Sequence, residues 1–163
     1  MKQLLIVSLI LLSMVSCKKS TTTPPIPSNQ EEAKILGQWN IVSVNHINID
    51  MGNKTEEVIT GQSGEFFWFD AGNGKKVGAN ITQPNLIRLL EIPNLPGYYF
   101  YEIFRVDDLN SDVIKLVDPV TNREKKYYTV KKLTATDLTL YVRNEYSPGN
   151  NSDEITITFT KKI

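Results

Sequence analysis

The residues that could support chemistry are few and lie far apart in this sequence. His46 is the only imidazole and Cys17 the only thiol among 163 residues. A zinc site needs three or four such ligands, and a Ser-His or Cys-His pair would need His46 as its base. The Gly-x-Ser-x-Gly motif of many hydrolases does not occur. We therefore interpret His46 as a polar residue of the surface or rim and predict no metal site.

Two glycine-containing stretches resemble catalytic or phosphate-binding motifs only superficially. Residues 61–64 (GQSG) lack the spacing of a nucleophile motif and predict a turn. Residues 72–75 (GNGK) lack the earlier glycine and the hydroxyl residue after the lysine that a phosphate-binding loop requires, so we interpret them as a hairpin tip. Adjacent acids such as Glu56 and Glu57 are usually solvated where they lie in loops, and two neighbours on one strand point to opposite faces. These patterns predict neither an enzyme nor a cofactor.

Charge and composition restrict the class of protein. The chain has 18 basic and 18 acidic residues, so its formal net charge is zero, and no face rich in Lys and Arg is evident. A nucleic acid is therefore not an expected partner. The hydrophobic fraction of 40% is typical of a globular domain, and the length suits a single one. We take a monomer as the expected state.

The N-terminus has the pattern of an export signal. Lys2 precedes a nearly unbroken apolar run over residues 4–15, which is too short to span a membrane comfortably. Residues 14–17 (MVSC) follow it and resemble the lipobox of bacterial lipoproteins, with Met14 where Leu is usual. The resemblance implies that residues 1–16 are a signal peptide and that Cys17 becomes the first residue of the mature chain. Its thiol would carry a diacylglycerol, with acyl chains such as palmitate, that anchors the protein to a membrane.

A polar segment separates this cysteine from the folded part. Residues 18–27 (KKSTTTPPIP) contain one aliphatic side chain among hydroxyl residues and prolines, and they predict an extended tether. We therefore divide the chain into a signal peptide (1–16), a lipidated tether (17–27) and a domain (28–163). No acidic cluster follows Cys17, so we expect the outer membrane, with its periplasmic face favoured over the cell surface.

The domain starts with a helix signal and continues with β-strand patterns. Ser28 and Glu31 fit a capping box, and Gly37 supplies a stop. Residues 137–145 and 154–160 alternate apolar and polar side chains, as half-buried strands do. Further strands are predicted near 38–47, 64–70, 76–83, 86–92, 98–106, 112–118 and 124–132. Short strands with hairpin-length loops predict an all-β fold, an up-and-down antiparallel β-barrel of about eight strands with a short N-terminal helix.

Three motifs carry a second resemblance. Gly37 and Trp39 enter the first strand behind a short helix and resemble the G-x-W motif of lipocalins, whose Trp plugs one end of the barrel. Residues 136–141 (TDLTLY) resemble another lipocalin motif near the penultimate strand, with Leu138 in place of a Tyr. Lys161 and Lys162 stand where lipocalins carry an Arg over the Trp ring, and a Lys could supply a weaker cation–π contact. The alternative for Trp39 is a core aromatic of any β-sandwich.

Aromatic side chains on both faces of two strands are the candidates for ligand binding. Phe66, Phe67 and Trp68 occupy one strand, and Tyr99 and Tyr101 occupy another. A strand with aromatics on both faces is covered on both sides or lines a cavity. The alternative is that one face fills the core while the other packs under the N-terminal helix or residues 84–96.

Two functions from different classes are compatible with this sequence. The first is a membrane-anchored lipocalin-like lipoprotein that binds a small hydrophobic or amphipathic ligand. The second is a structural or protein-interaction lipoprotein whose barrel is filled by its own side chains. A cavity of several hundred cubic ångströms would favour the first, and a packed interior the second.

Overall fold

The computed structural model describes residues 29–72, 74–146 and 151–163, with the side chains of residues 29–31 excepted. Cys17, the lipobox, the tether and the capping serine Ser28 lie outside these ranges. The described chain consists of two short α-helices, a 3₁₀ turn (Asp107–Leu109) and nine strands. Their bounds are α1 Asn29–Ile35, β1 Gly37–Asp50, β2 Asn53–Thr60, β3 Phe66–Asp70, β4 Lys76–Asn80, α2 Pro84–Leu90, β5 Tyr99–Val106, β6 Ser111–Val117, β7 Glu124–Leu133, β8 Asp137–Tyr146 and β9 Asn151–Lys161.

The strands form a closed antiparallel barrel, as the sequence predicts. From β3 to β9 each strand pairs with the next, and β9 pairs with β1, which also pairs with β3. Closure removes the exposed sheet edges that an open meander would leave. The register sets Trp39 against Lys161 at one end and Ile49 against Ser152 at the other. We refer to the first as the α1 end and to the second as the mouth.

The extra strand β2 arises because β1 is longer than the barrel wall requires. The start of β1 pairs with β3, and its remainder, Ser43 to Asp50, pairs with β2. Residues 61–65 connect the two partners by a kink. At Gly61 an added Cβ would lie 2.1 Å from the Ile41 carbonyl oxygen, so only glycine allows the chain after β2 to pass this close to the backbone of β1.

Two elements of the structure differ from the prediction. A strand was expected near 86–92, but this prediction is wrong because residues 84–90 form helix α2. Leu86 and Leu90 are buried four residues apart on one helix face, while Ile87 and Arg88 are exposed. Strand β2 was not predicted, since its side chains are almost all exposed and show no apolar alternation.

The gap between the short strand β4 and strand β5 is covered by the segment after α2. The Ala79 amide donates to the Pro93 carbonyl (3.1 Å), and the Leu95 amide donates to the Ala79 carbonyl (2.8 Å). Leu95 and Gly97 lie so close to the outer side of Gly78 that a Cβ there would approach both within 2.9 Å. The segment therefore completes the wall next to β4, whose other edge pairs with the aromatic strand β3.

The core fills the barrel between α1 and α2. Phe67 packs on Phe159 with ring centroids 5.0 Å apart, and Phe69 meets Tyr101 edge to face at 5.4 Å. Aromatic pairs at these distances add attraction beyond the area they bury. Apolar residues from all eight barrel strands and both helices share this cluster. The interior near the α1 end is thus occupied by the protein's own side chains.

Candidate functional site

A cavity of about 360 Å³ lies at the mouth, between β1, β2, β8, β9 and α2. Its lining mixes polar and apolar side chains: His46, Asn48, Glu57, Ile59, Asn85, Arg88, Leu89, Glu91, Asn144, Tyr146, Asp153 and Ile155. This volume is at the lower end of the range for small-molecule sites. It is the candidate functional site because side chains from five elements converge on it.

The period of the strands explains why polar groups converge here. On β9, Ile157 and Ile155 point inward, so Asp153, two residues earlier, shares their face. On β1 the fully buried Val44 is followed on the same face by His46 and Asn48. The inner face therefore changes from apolar in the core to polar at the mouth.

Asp153 is the centre of a hydrogen-bonded cluster. Its carboxylate accepts from the Asn48 Nδ2 at 2.8 Å and the Tyr146 hydroxyl at 2.7 Å, and lies 3.0 Å from His46 Nε2. Burial raises the pKa of the Asp153 carboxyl, but the bonds from Asn48, Tyr146 and His46 outweigh it, so the pKa lies below its usual value. Asp153 is therefore ionised at neutral pH and holds side chains of β1 and β8 in fixed positions.

Helix α2 forms the wall opposite this cluster, and its start is fixed by Glu65. This carboxylate is only 1% exposed, although it stands on the kink between β2 and β3. It accepts from the amides of Gln62 (2.9 Å), Thr82 (2.8 Å) and Gln83 (2.9 Å), and from the side chains of Thr82 (2.9 Å) and Gln83 (2.7 Å). Burial raises the pKa of Glu65, but these bonds outweigh it and lower the pKa to about 2.

The C-terminal end of α2 is fixed by β7. The buried Tyr128 hydroxyl donates to the Leu90 carbonyl at 3.0 Å, and Lys126 Nζ lies 3.4 Å from both the Leu89 carbonyl and the Glu91 carboxylate. Carbonyls at a helix end lack partners within the helix, so these donors stabilise α2 where it lies. Burial raises the pKa of Tyr128, which keeps its hydroxyl protonated as a donor.

The aromatic residues proposed from sequence lie elsewhere. Phe67 and Tyr101 are buried in the core, and Tyr99 packs against it. Phe66 and Trp68 are half-buried on the opposite face of β3. None of the five lines the mouth cavity.

One of these residues, Tyr101, also borders a second cavity. This groove, of about 660 Å³, lies beside β5, with Lys75, Phe100 and the ion-paired Glu102 and Lys115 among its lining. Glu102 is exposed, whereas its neighbours Tyr101 and Ile103 are buried. The groove is therefore an outer surface feature of the barrel, unlike the mouth cavity.

The residues of the proposed barrel plug come together at the α1 end. Gly37 has φ +106°, a conformation that glycine adopts readily, at the junction of α1 and β1. Trp39 is fully buried, and its Nε1 donates to the Ile35 carbonyl at 2.6 Å. Lys161 Nζ lies 5.0 Å from the Trp39 ring centre and donates to the Lys34 carbonyl at 2.9 Å. This is the cation–π contact that the sequence predicts for a Lys in this place.

Asn48, Tyr146 and Asp153 are site residues that the sequence patterns do not predict. The predicted strands end at residue 145 and resume at residue 154, whereas β8 reaches Tyr146 and β9 already begins at Asn151. Extending the period of two from Ile155 back to Asp153, and from Val142 on to Tyr146, would have placed both on the inner face. No sequence signal pairs them with Asn48, which is more than 90 residues away.

Comparisons of the chain with protein-family models, curated proteins and solved structures found no significant match in any of the three. Neither helix in the described ranges has the length and apolar character that a membrane-spanning helix requires. Among the described side chains, no group of three or more His, Cys, Asp or Glu residues could hold a metal ion. The geometry of the mouth is therefore the basis for a functional assignment.

Proposed function

We propose that this chain is a lipid-anchored protein of the cell envelope whose barrel binds a small ligand at its mouth. The observation that carries the proposal is the cavity of about 360 Å³ beside the Asp153 cluster. The half-buried Asp153 carboxylate fixes donors from two other strands and so builds a site with little freedom to rearrange, and such preorganisation lowers the cost of binding. We propose no catalytic role.

The lining favours an amphipathic ligand over a purely hydrophobic one. Ile59, Leu89 and Ile155 supply apolar surface, while polar side chains supply the rest. The deeper interior, where a long hydrophobic ligand would lie, is filled by residues such as Phe67 and Tyr101. A ligand with one polar part and a short apolar part fits this division.

The anchor remains a proposal from the sequence, at Cys17 and the tether that follows it. In the structure the described chain begins at α1, which lies at the opposite end of the barrel from the mouth. A lipid-anchored monomer on the periplasmic face of the outer membrane could thus present its mouth away from its anchored end. Ligand exchange would then take place with the periplasm or with a facing membrane.

The packed interior supports a second candidate, a structural or interaction lipoprotein without a small-molecule ligand. The inward side chains Phe67, Tyr101 and Phe159 are each at most 1% exposed. In this alternative the mouth is only the solvated rim of a filled barrel.

Native mass spectrometry of the mature protein, after incubation with a lipid extract of the source membrane, distinguishes the two. We expect an adduct that is lost in Asn48→Ala, whose side chain lines the mouth, and kept in Asn45→Ala, whose side chain bonds to Glu56 instead. Bare wild-type protein would favour the filled barrel. If the adduct is lost in Trp68→Ala but kept in Asn48→Ala and Asn45→Ala, the ligand binds at the aromatic strand β3 and not at the mouth.

A further inference from the structure

The Asp153 cluster leaves hydrogen-bond acceptors unused in the mouth. A carboxylate only accepts, so Asn48 must direct its amide nitrogen at Asp153, and its carbonyl oxygen is left over. His46 likewise directs a protonated Nε2 at Asp153, so Nδ1 of the neutral imidazole is an acceptor. Within the described ranges, no protein group donates to either atom. Asp153 thus orients two acceptors that a ligand can use.

The α2 wall offers donors that no protein group occupies. Asn85 and Arg88 line the cavity, and their side chains have no hydrogen bond or ion pair with any other described residue. An amide donates and accepts, whereas a guanidinium only donates. The cavity therefore presents acceptors from β1 and donors from α2.

The charges of the lining leave a small negative sum. Glu57, Glu91 and Asp153 are acidic and Arg88 is basic, so the formal charge of the lining is −2, or −1 when Lys126, which contacts Glu91 from outside the lining, is counted. The Asp153 carboxylate already has hydrogen-bond partners in the neutral side chains around it, so it needs no cationic ligand. This balance disfavours an anion and leaves a neutral ligand as the best match.

Tyr146 adds a flat apolar surface. Tyr146 is 50% exposed, and the bond from its hydroxyl to Asp153 fixes the position of its ring. A sugar ring carries hydroxyls around its edge, each of which donates and accepts, and an apolar C–H face that packs on an aromatic ring. Its edge matches the alternating groups of the mouth, and its face matches Tyr146.

We propose that the mouth recognises a neutral polyhydroxylated group, such as one or two sugar rings, free or as the polar part of a glycolipid. His46 and Asn48 accept from its hydroxyls, Asn85 and Arg88 donate to its oxygens, and Tyr146 packs against its ring. This inference rests on the proposed function, because it specifies the ligand class of the same cavity.

The test is saturation-transfer NMR and titration of the mature protein with glucose, galactose, N-acetylglucosamine, glucosamine and trehalose. At least one neutral sugar should bind, and Asn48→Ala and Arg88→Met should each weaken it about tenfold or more. Asn45→Ala is the matched control on the same strand and should change Kd less than about twofold. Because Arg88 is exposed, Arg88→Met keeps the test valid if Asn48→Ala is unfolded by circular dichroism.

The pair N-acetylglucosamine and glucosamine separates hydroxyl recognition from charge recognition. If glucosamine binds at least tenfold more tightly than N-acetylglucosamine, and Glu57→Gln removes this preference, the mouth recognises an ammonium group. That result would overturn the inference. If no sugar binds but palmitoyl-lysophosphatidylcholine does, and Asn48→Ala abolishes that binding, the inference fails while the proposed function stands. If neither class binds, both fail.

Discussion

Replacement of Glu65 by Gln tests how the wall of the mouth is fixed. The carboxylate is buried and accepts five hydrogen bonds, and its pKa falls from an ordinary value of 4.5 to about 2. A difference of one pH unit between the folded and unfolded pKa is worth about 1.4 kcal/mol, so ionised Glu65 contributes about 3 kcal/mol at pH 7. Gln keeps the shape but turns one acceptor into a donor that faces other donors. We expect Glu65→Gln to lose about 3 kcal/mol of unfolding free energy at pH 7.

The sign of the pH dependence follows from the lowered pKa. This contribution is fully present above the unfolded pKa of 4.5 and is lost as the pH falls towards the folded value of about 2. The difference in unfolding free energy between wild type and Glu65→Gln should therefore fall to about 1.5 kcal/mol at pH 3. Other acidic groups titrate in both proteins and cancel in the difference.

The assay is urea unfolding, followed by circular dichroism, at pH 7 and pH 3. Glu57→Gln is the matched control, because the Glu57 side chain is exposed and has no hydrogen bond or ion pair with any other described residue; the substitution should change stability by less than about 0.5 kcal/mol. A loss of unfolding free energy below about 1 kcal/mol in Glu65→Gln, or a loss that is equal at both pH values, would show that the ionised carboxylate does not stabilise the start of α2.

Three further outcomes are expected. Trp39→Ala should cost about 3 to 5 kcal/mol in urea unfolding, as deletion of a fully buried large aromatic does; a loss below about 1 kcal/mol would contradict its role in closing the α1 end. Lys161→Met removes the contact over Trp39 and should lower the free energy of unfolding by about 1 kcal/mol in the same assay. An unchanged free energy of unfolding would show that the cation–π contact does not stabilise the fold. Cys17→Ala should abolish labelling by radioactive palmitate and release the protein from the membrane fraction without unfolding it, whereas a labelled, membrane-bound variant would exclude Cys17 as the anchor.

The class of fold could be predicted because local patterns and the closure of the sheet agree. Alternation over β8 and β9 predicts two half-buried strands, and turn residues divide the chain at hairpin spacing. Helix α2 was misinterpreted because a short apolar run does not distinguish a buried strand from a helix. Strand β2 was missed because it owes its pairing to β1 and not to burial of its own side chains.

The candidate site could be predicted only in part. Strands β8 and β9 follow a period of two that can be read in the sequence, so the inner face of β9 is predictable once its register is chosen. The position of α2 is not, because it depends on a buried carboxylate at the β2–β3 kink and on donors from β7. Contacts between residues this far apart in sequence leave no local signal.

An all-β barrel, the helix before it and an aromatic contribution to its core could be predicted from residues alone, since these features follow from local period, turn chemistry and composition. That Phe67 and Tyr101 fill the core, and that polar groups from separate strands meet at Asp153, became evident from the fold. The physical reason is register: sliding a strand by one residue exchanges its two faces, and the register of β1 against β9 is set by closure of the whole barrel.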